Sequence, residues 1–171
     1  MNKIIVIGCP GSGKSTMVFK MKEKLNCPVL HLDKIYHIDN TNHISREELV
    51  QRVNEFAASG DRWIIDGNYI STVEQRIQLA DTVILLDIDT EICVNNARKR
   101  SQQEKREDMA AGFDNTILNE EFVQFILNFK ENSLPKIMEL FDKYKDTKNI
   151  IILKSYEEIN TFLENLGEYH E

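Results

Sequence analysis

The chain has 171 residues, 42% of them hydrophobic and 29% charged, with a formal net charge of −7. That length fits one domain with a core that needs no staple, and the balance excludes a disordered chain. The negative charge excludes a broad attraction to nucleic acid or acidic membranes, so any anionic ligand requires a local cluster of cations. Cys9, Cys27 and Cys93 are odd in number and lack metal-type spacing, which reads as reduced thiols of a cytosolic protein. The first apolar run, residues 4–7, lacks the length of a secretory core, and no run approaches a membrane span. The expected location is the cytoplasm.

In chain order, the first expected strand covers residues 3–7, and the glycine-rich segment after it feeds a helix over about 14–25. Asn26-Cys27-Pro28 stops that helix, because Pro disfavours helical geometry in the residue before it. A second short strand is expected over 29–32, ending at Asp33. Ser45 with Glu48 three positions later reads as a capping box, opening a helix to about Ala58 that Ser59-Gly60 ends. Strands over 62–65 and 82–86 finish at Asp66-Gly67 and Asp87. A helix follows over 90–100, then a charged, irregular stretch to Asp114. Residues 120–144 read as helical with a break demanded by Pro135; a fifth strand covers 149–153 and a closing helix 156–166.

Short β-branched strands alternating with helices predict a doubly wound α/β domain with a parallel sheet. Ligands of such sheets sit beyond the carboxyl ends of the strands, which places the glycine-rich segment, Asp33, Asp66 and Asp87 along one rim.

Residues 8–15, Gly8-Cys9-Pro10-Gly11-Ser12-Gly13-Lys14-Ser15, match the phosphate-binding pattern G-x-x-x-x-G-K-[ST] after a strand and before a helix. Glycines let such a loop wrap a phosphate with its amides pointing inward, and the helix N-terminus adds partial positive charge. Lys14 is the candidate for the β- and γ-phosphates of ATP and Ser15 for Mg²⁺. Thr16 either contacts the α-phosphate or supports the first helical turn.

Mg²⁺ takes oxygen ligands, and Asp66 at the end of Trp63-Ile64-Ile65-Asp66 is the best candidate for its shell. Asp33 either orients or deprotonates an acceptor hydroxyl, or serves a turn or helix cap. For Asp87 and Asp89, capping the next helix is as good a reading as catalysis. His31, His37 and His43 lack metal-site spacing and read as polar loop or pocket residues. The cations of 98–106 either arrive from a lid to neutralise a transferring phosphoryl group or complement a helix end. Gly112 is a candidate lid hinge, and Phe122, Phe125, Ile126 and Phe129 recur at a spacing that core packing explains.

The loop, His-Leu-Asp at 31–33, Trp-Ile-Ile-Asp-Gly-Asn-Tyr at 63–69 and Ala-Asp-Thr-Val-Ile at 80–84 together resemble the adenylate-kinase-like P-loop proteins known as DNA topology modulation proteins, the FlaR-related family. Arg-Glu-Asp-Met-Ala-Ala-Gly at 106–112 and Asn-Phe-Lys at 128–130 extend the likeness along nearly the whole chain. The resemblance implies a three-layer P-loop NTPase fold with strand order 2-3-1-4-5 and a nucleoside-monophosphate-kinase-like core. That core is a single domain over 1–171, with an acceptor-binding insertion at about 34–60 and a short lid at about 98–116. It implies Gly8, Pro10, Gly11, Ser12, Gly13, Lys14, Ser15 and Thr16 at ATP, with Ser15 and Asp66 at Mg²⁺. It implies Arg98, Arg100 and Arg106 in or near the lid, and Asp33, Tyr36, Asp66, Asn68, Tyr69 and Arg76 towards the acceptor. Tyr36, Asn68 and Tyr69 are equally read as packing or turn residues.

One departure bears on the acceptor. Adenylate kinases follow this Asp-Gly with Phe-Pro-Arg, whose arginine grips the acceptor's phosphate, whereas Asn68-Tyr69-Ile70 stands here and the next arginine is Arg76. Arg46 and Arg52 are candidates to compensate. The expected activity is phosphoryl transfer from ATP to a small nucleoside- or nucleotide-like acceptor, without direct nucleic-acid binding. The alternative is a regulatory ATP-binding switch acting on a macromolecular partner.

Overall fold

The computed structural model describes residues 1–102, 110–112, 114 and 118–166. Five parallel strands, β1 (Lys3–Gly8), β2 (Val29–His31), β3 (Trp63–Asp66), β4 (Thr82–Leu86) and β5 (Asn149–Leu153), form one sheet in the order β2-β3-β1-β4-β5. The strand order is the one the resemblance implies. The three inner strands are buried almost throughout, which is why they read as unbroken apolar runs rather than alternating ones. The edge strands β2 and β5 are only partly covered.

Helices α1 (Lys14–Leu25), α2 (Leu32–Tyr36), α3 (Arg46–Ala58) and α4 (Val73–Leu79) lie along the first half of the chain. Then come α5 (Thr90–Ser101), α6 (Glu120–Leu127), α7 (Phe129–Asn132), α8 (Leu134–Tyr144) and α9 (Tyr156–Asn165). Ser45 caps α3 by accepting from Glu48 N at 3.0 Å, while the Glu48 side chain turns to Arg52 at 2.6 Å instead of closing a capping box. Asp89, Asn119 and Ser155 cap α5, α6 and α9 in the same way. For Asp89 the capping reading is therefore the observed one.

Three elements differ from the sequence reading. Asp33 does not end a strand: β2 stops at His31, and Asp33 lies in the first turn of α2. The segment 120–144 has the break that Pro135 demands, at Ser133, so that Pro135 falls in the first turn of α8, where its missing N–H costs no bond. It has a second break at Asn128 that was not expected, giving three helices. Helix α4 was not expected, because its buried face includes Arg76 beside Val73 and Ile77, and a charged residue hides the apolar period. Among the described residues no helix is long and apolar enough to cross a membrane.

Candidate active site

Gly8 closes β1 and Gly13 is the N-cap of α1, with no side chain capping that helix, so its first amides are left to the loop between them. Gly11 adopts φ +84°, and a Cβ built there would lie 2.2 Å from the Cys93 carbonyl oxygen on α5. The loop is thus pressed against α5, and only glycine fits both the conformation and the contact. Lys14 Nζ donates to the carbonyls of Gly8 (2.9 Å) and Cys9 (3.0 Å), which holds its ammonium group across the loop. Ser12 is fully buried with no partner for its Oγ among the described residues, Pro10 flanks the turn, and Thr16 is exposed.

The strand register builds the second part. β2 and β3 pair with His31 opposite Asp66, and their side chains meet, His31 Nδ1 donating to Asp66 Oδ2 at 2.9 Å. Ser15 Oγ donates to the same oxygen at 3.2 Å, joining the start of α1 to the end of β3. Asp66 is 5% exposed, and its Oδ1 has no partner among the described residues. A hydroxyl and a carboxylate with an unpaired buried oxygen fit a hard cation such as Mg²⁺, which keeps most of its waters and takes one or two protein oxygens. Among the described residues there is no group of three or more His, Cys, Asp or Glu that could hold a metal by itself. Asp87, further along the rim, has a buried Oδ1 without a partner among the described residues.

Beyond Asp66 lies an aromatic cluster. Tyr69 Oη donates to Asp33 Oδ1 at 2.5 Å and lies 3.3 Å from His37 Nε2. The Tyr36 ring stacks on His43 at 4.7 Å and meets the Tyr69 ring at 4.6 Å. Burial, then the Asp33 charge, pushes the Tyr69 hydroxyl far above its ordinary pKa, so it stays a donor. Burial lowers the pKa of His37, against the opposing pull of Asp33. Asp33, Tyr36 and Tyr69 are therefore brought together, and Asn68, next to Tyr69 in the chain, has a buried Oδ1 without a partner among the described residues.

Arg76 does not line this surface. It is fully buried, donating through NH1 to Gly67 O (2.8 Å) and through NH2 to Asn68 O (2.9 Å) and Tyr69 O (3.0 Å). Burial lowers its pKa to about 10, with Asp66 opposing the shift. The guanidinium supports the 67–69 backbone from beneath, a role that a sequence position after Asp-Gly does not distinguish from phosphate gripping. Arg46 is likewise turned to Ser71 O (2.9 Å), and Arg52 to Glu48 and Ile35 O.

Arg98 and Arg100 both lie in the last turn of α5 but face different neighbours, as positions two apart on a helix do. Arg98 lines a groove between α5 and α6 with Glu91, Val123 and Leu127. Arg100 follows Asn96 by one turn and acts electrostatically on the Tyr156 hydroxyl. Arg106 and, of the lid expected over about 98–116, residues 103–109, 113 and 115–117 lie outside the described residues. Beyond residue 109 the chain docks on the segment after α2: Gly112 bridges Asp39, Asn40 Nδ2 donates to Asp114 O at 3.0 Å, and Asp114 N donates to Asn40 Oδ1 at 2.6 Å. A Cβ on Gly112 would lie 2.1 Å from Ile38 O, so close approach by itself requires glycine there.

Two residues near the loop carried no sequence signal. Asn96 Nδ2 donates to Gly11 O (2.9 Å) and to Tyr156 Oη (2.8 Å), tying α5, the loop and the start of α9 together. Only the fold brings positions this far apart in the chain into contact. His31 was visible merely as a histidine near a strand end, and its place against Asp66 follows from the register.

No protein-family model matches the chain, and no curated protein matches it. Among solved structures it is similar to a gluconokinase from Sinorhizobium meliloti 1021, with 13% sequence identity over 98% of this chain and 94% of that one and a TM-score of 0.60. At that identity the likeness speaks to architecture alone, and together with the strand order it shows that this chain has the P-loop kinase fold.

Proposed function

We propose that this chain is a P-loop kinase that transfers the γ-phosphoryl group of ATP, with Mg²⁺, to a small hydroxyl acceptor of nucleoside- or nucleotide-like type. The observation that carries the reading is the joining of Ser15 and Asp66 at one oxygen beside the loop, with a second, separate carboxylate, Asp33, set among aromatic rings. One carboxylate serves the metal side and the other the acceptor side, a division of labour that phosphoryl transfer requires. The cytoplasmic location, supported by three buried reduced thiols, and membership of the topology modulation group belong to the same proposal.

In this reading the loop amides and Lys14 bind the phosphates and Thr16 lies at the α-phosphate side. Ser15 and Asp66 would hold Mg²⁺, which supplies charge neutralisation on the phosphate oxygens. His31 fixes the Asp66 carboxylate through its Nδ1. Asn96, Arg100 and Tyr156 flank the nucleotide side of the loop. Asp33, held by Tyr69, orients the acceptor hydroxyl and receives its proton, while Tyr36 and Asn68 line the acceptor. Arg98 and Arg106 complete the charge around the transferring group.

The test is ADP release from Mg²⁺-ATP, alone and with a panel of nucleosides, nucleotides and small hydroxyl metabolites. Turnover well above the water background, with a phosphorylated product, is the expected result. ATP binding without any phosphorylated product would replace this reading with the switch on a macromolecular partner.

A further inference from the structure

Resting on that kinase reading, we infer from the juxtaposition of the Asp33 carboxylate with the Tyr36, His43 and Tyr69 rings that the acceptor is uncharged. It is a neutral hydroxyl compound with a planar or apolar face, a nucleoside rather than its monophosphate. The cluster offers a hydrogen-bond acceptor in Asp33, whose Oδ1 the Tyr69 hydroxyl already holds in place, and the outer face of the exposed His43 ring, whose other face stacks on Tyr36. Those groups match a sugar hydroxyl and a stacked base.

A phosphomonoester asks for something else. It carries about −1.5 to −2 charges at neutral pH and is held by forked, cationic donors. Among the described residues, the arginines of the flanking elements point their donors at protein oxygens: Arg76 at the carbonyls of Gly67, Asn68 and Tyr69, Arg46 at Ser71 O, Arg52 at Glu48 and Ile35 O. Arg76 is fully buried beneath the backbone it supports, so it cannot turn towards a ligand without unpairing three carbonyls. Lys34, next to Asp33 on α2, lies about 100° further round the helix. An anionic acceptor would therefore meet the Asp33 carboxylate at close range, and like charges repel there.

Matched pairs test this with the wild-type chain and Mg²⁺-ATP: each of four nucleosides against its 5′-monophosphate, and an uncharged sugar against its aldonate. Product formation gives kcat/KM, and calorimetry with a non-hydrolysable ATP analogue gives binding. The neutral member of a pair is expected to win by at least about tenfold, the scale of one unfavourable charge contact. His43→Lys, a cation introduced at an exposed position on the Tyr36 ring, is expected to narrow that ratio. Preference for the monophosphate or the aldonate, or a His43→Lys ratio equal to wild type, overturns the inference and leaves the kinase reading standing. If no member of any pair binds or reacts, both fail together.

Discussion

Gly11→Ala isolates the contact between the phosphate loop and α5. Alanine at φ +84° costs about 1–2 kcal/mol as a left-handed L-residue. Its methyl group would sit 2.2 Å from the Cys93 carbonyl, on helix backbone that cannot rotate aside, and forcing such a group into a packed site costs a further ~1–3 kcal/mol. The sum, about 2–5 kcal/mol, is a large share of the ~5–15 kcal/mol that holds a domain folded. With a urea m-value of about 2 kcal/mol/M, the midpoint falls by roughly 1–2.5 M. The assay is urea denaturation followed by Trp63 fluorescence, with Gly60→Ala as control, since a Cβ there meets nothing within 4 Å. The control is expected within about 0.5 kcal/mol of wild type or slightly more stable. A Gly11→Ala variant as stable as the Gly60→Ala control would refute the packing of the loop on α5. Mg²⁺-ATP is expected to raise the thermal midpoint of the wild type, by an amount that scales as RT ln(1 + [L]/Kd), and to raise that of Gly11→Ala less.

Other perturbations address the acceptor side. Arg76→Met leaves the carbonyls of Gly67, Asn68 and Tyr69 without their donors and is expected to cost about 2–4 kcal/mol by denaturation; a loss under about 0.5 kcal/mol would contradict its supporting role. Asp33→Asn is expected to lower acceptor kcat/KM by about a hundredfold or more, the usual scale for losing a general base, with ATP affinity within a few-fold by calorimetry. Tyr69→Phe removes the hydrogen bond that holds Asp33, together with the contact to His37 Nε2, and is expected to cost about tenfold in the same parameter. Equal loss of ATP binding and acceptor turnover in Asp33→Asn would refute the division between the two carboxylates. His37 is held neutral by burial, so its folded pKa lies below 6.5 and the unfolded chain binds more protons as pH drops. Stability is therefore unaffected by His37 above pH 6.5 and falls below it; His37→Gln is expected to reduce the difference in urea midpoint between pH 7.5 and 5.5, and an unchanged difference would refute this.

The sheet was legible because its inner strands are apolar on both faces and each stops at a glycine or carboxylate, as in β1 with Gly8 and β3 with Asp66. The phosphate loop was legible because one local pattern contains the whole motif. The acceptor side was not, because its groups meet through tertiary contacts between distant segments. Arg76 holds the 67–69 backbone from which Tyr69 reaches Asp33, and the resemblance puts Arg76 towards the acceptor until its burial is known. Helix α4 was missed for the same reason. Gly112 was visible as a glycine, but neither its contact with Ile38 O nor the reciprocal Asn40–Asp114 bonds can be read from one strand of sequence. Asn96 and Tyr156 illustrate the limit of local pattern: neither belongs to a motif, yet Asn96 donates to the loop at Gly11 O and to the Tyr156 hydroxyl.

The most direct measurement is the fate of the γ-phosphoryl group. ATP labelled at that position is supplied with Mg²⁺ and each nucleoside, and the products are separated. The account predicts label on the acceptor hydroxyl with the wild type, none with Lys14→Ala, and strongly reduced transfer with retained ATP binding in Asp33→Asn. Label released only as inorganic phosphate, at one rate with and without every acceptor, would contradict it.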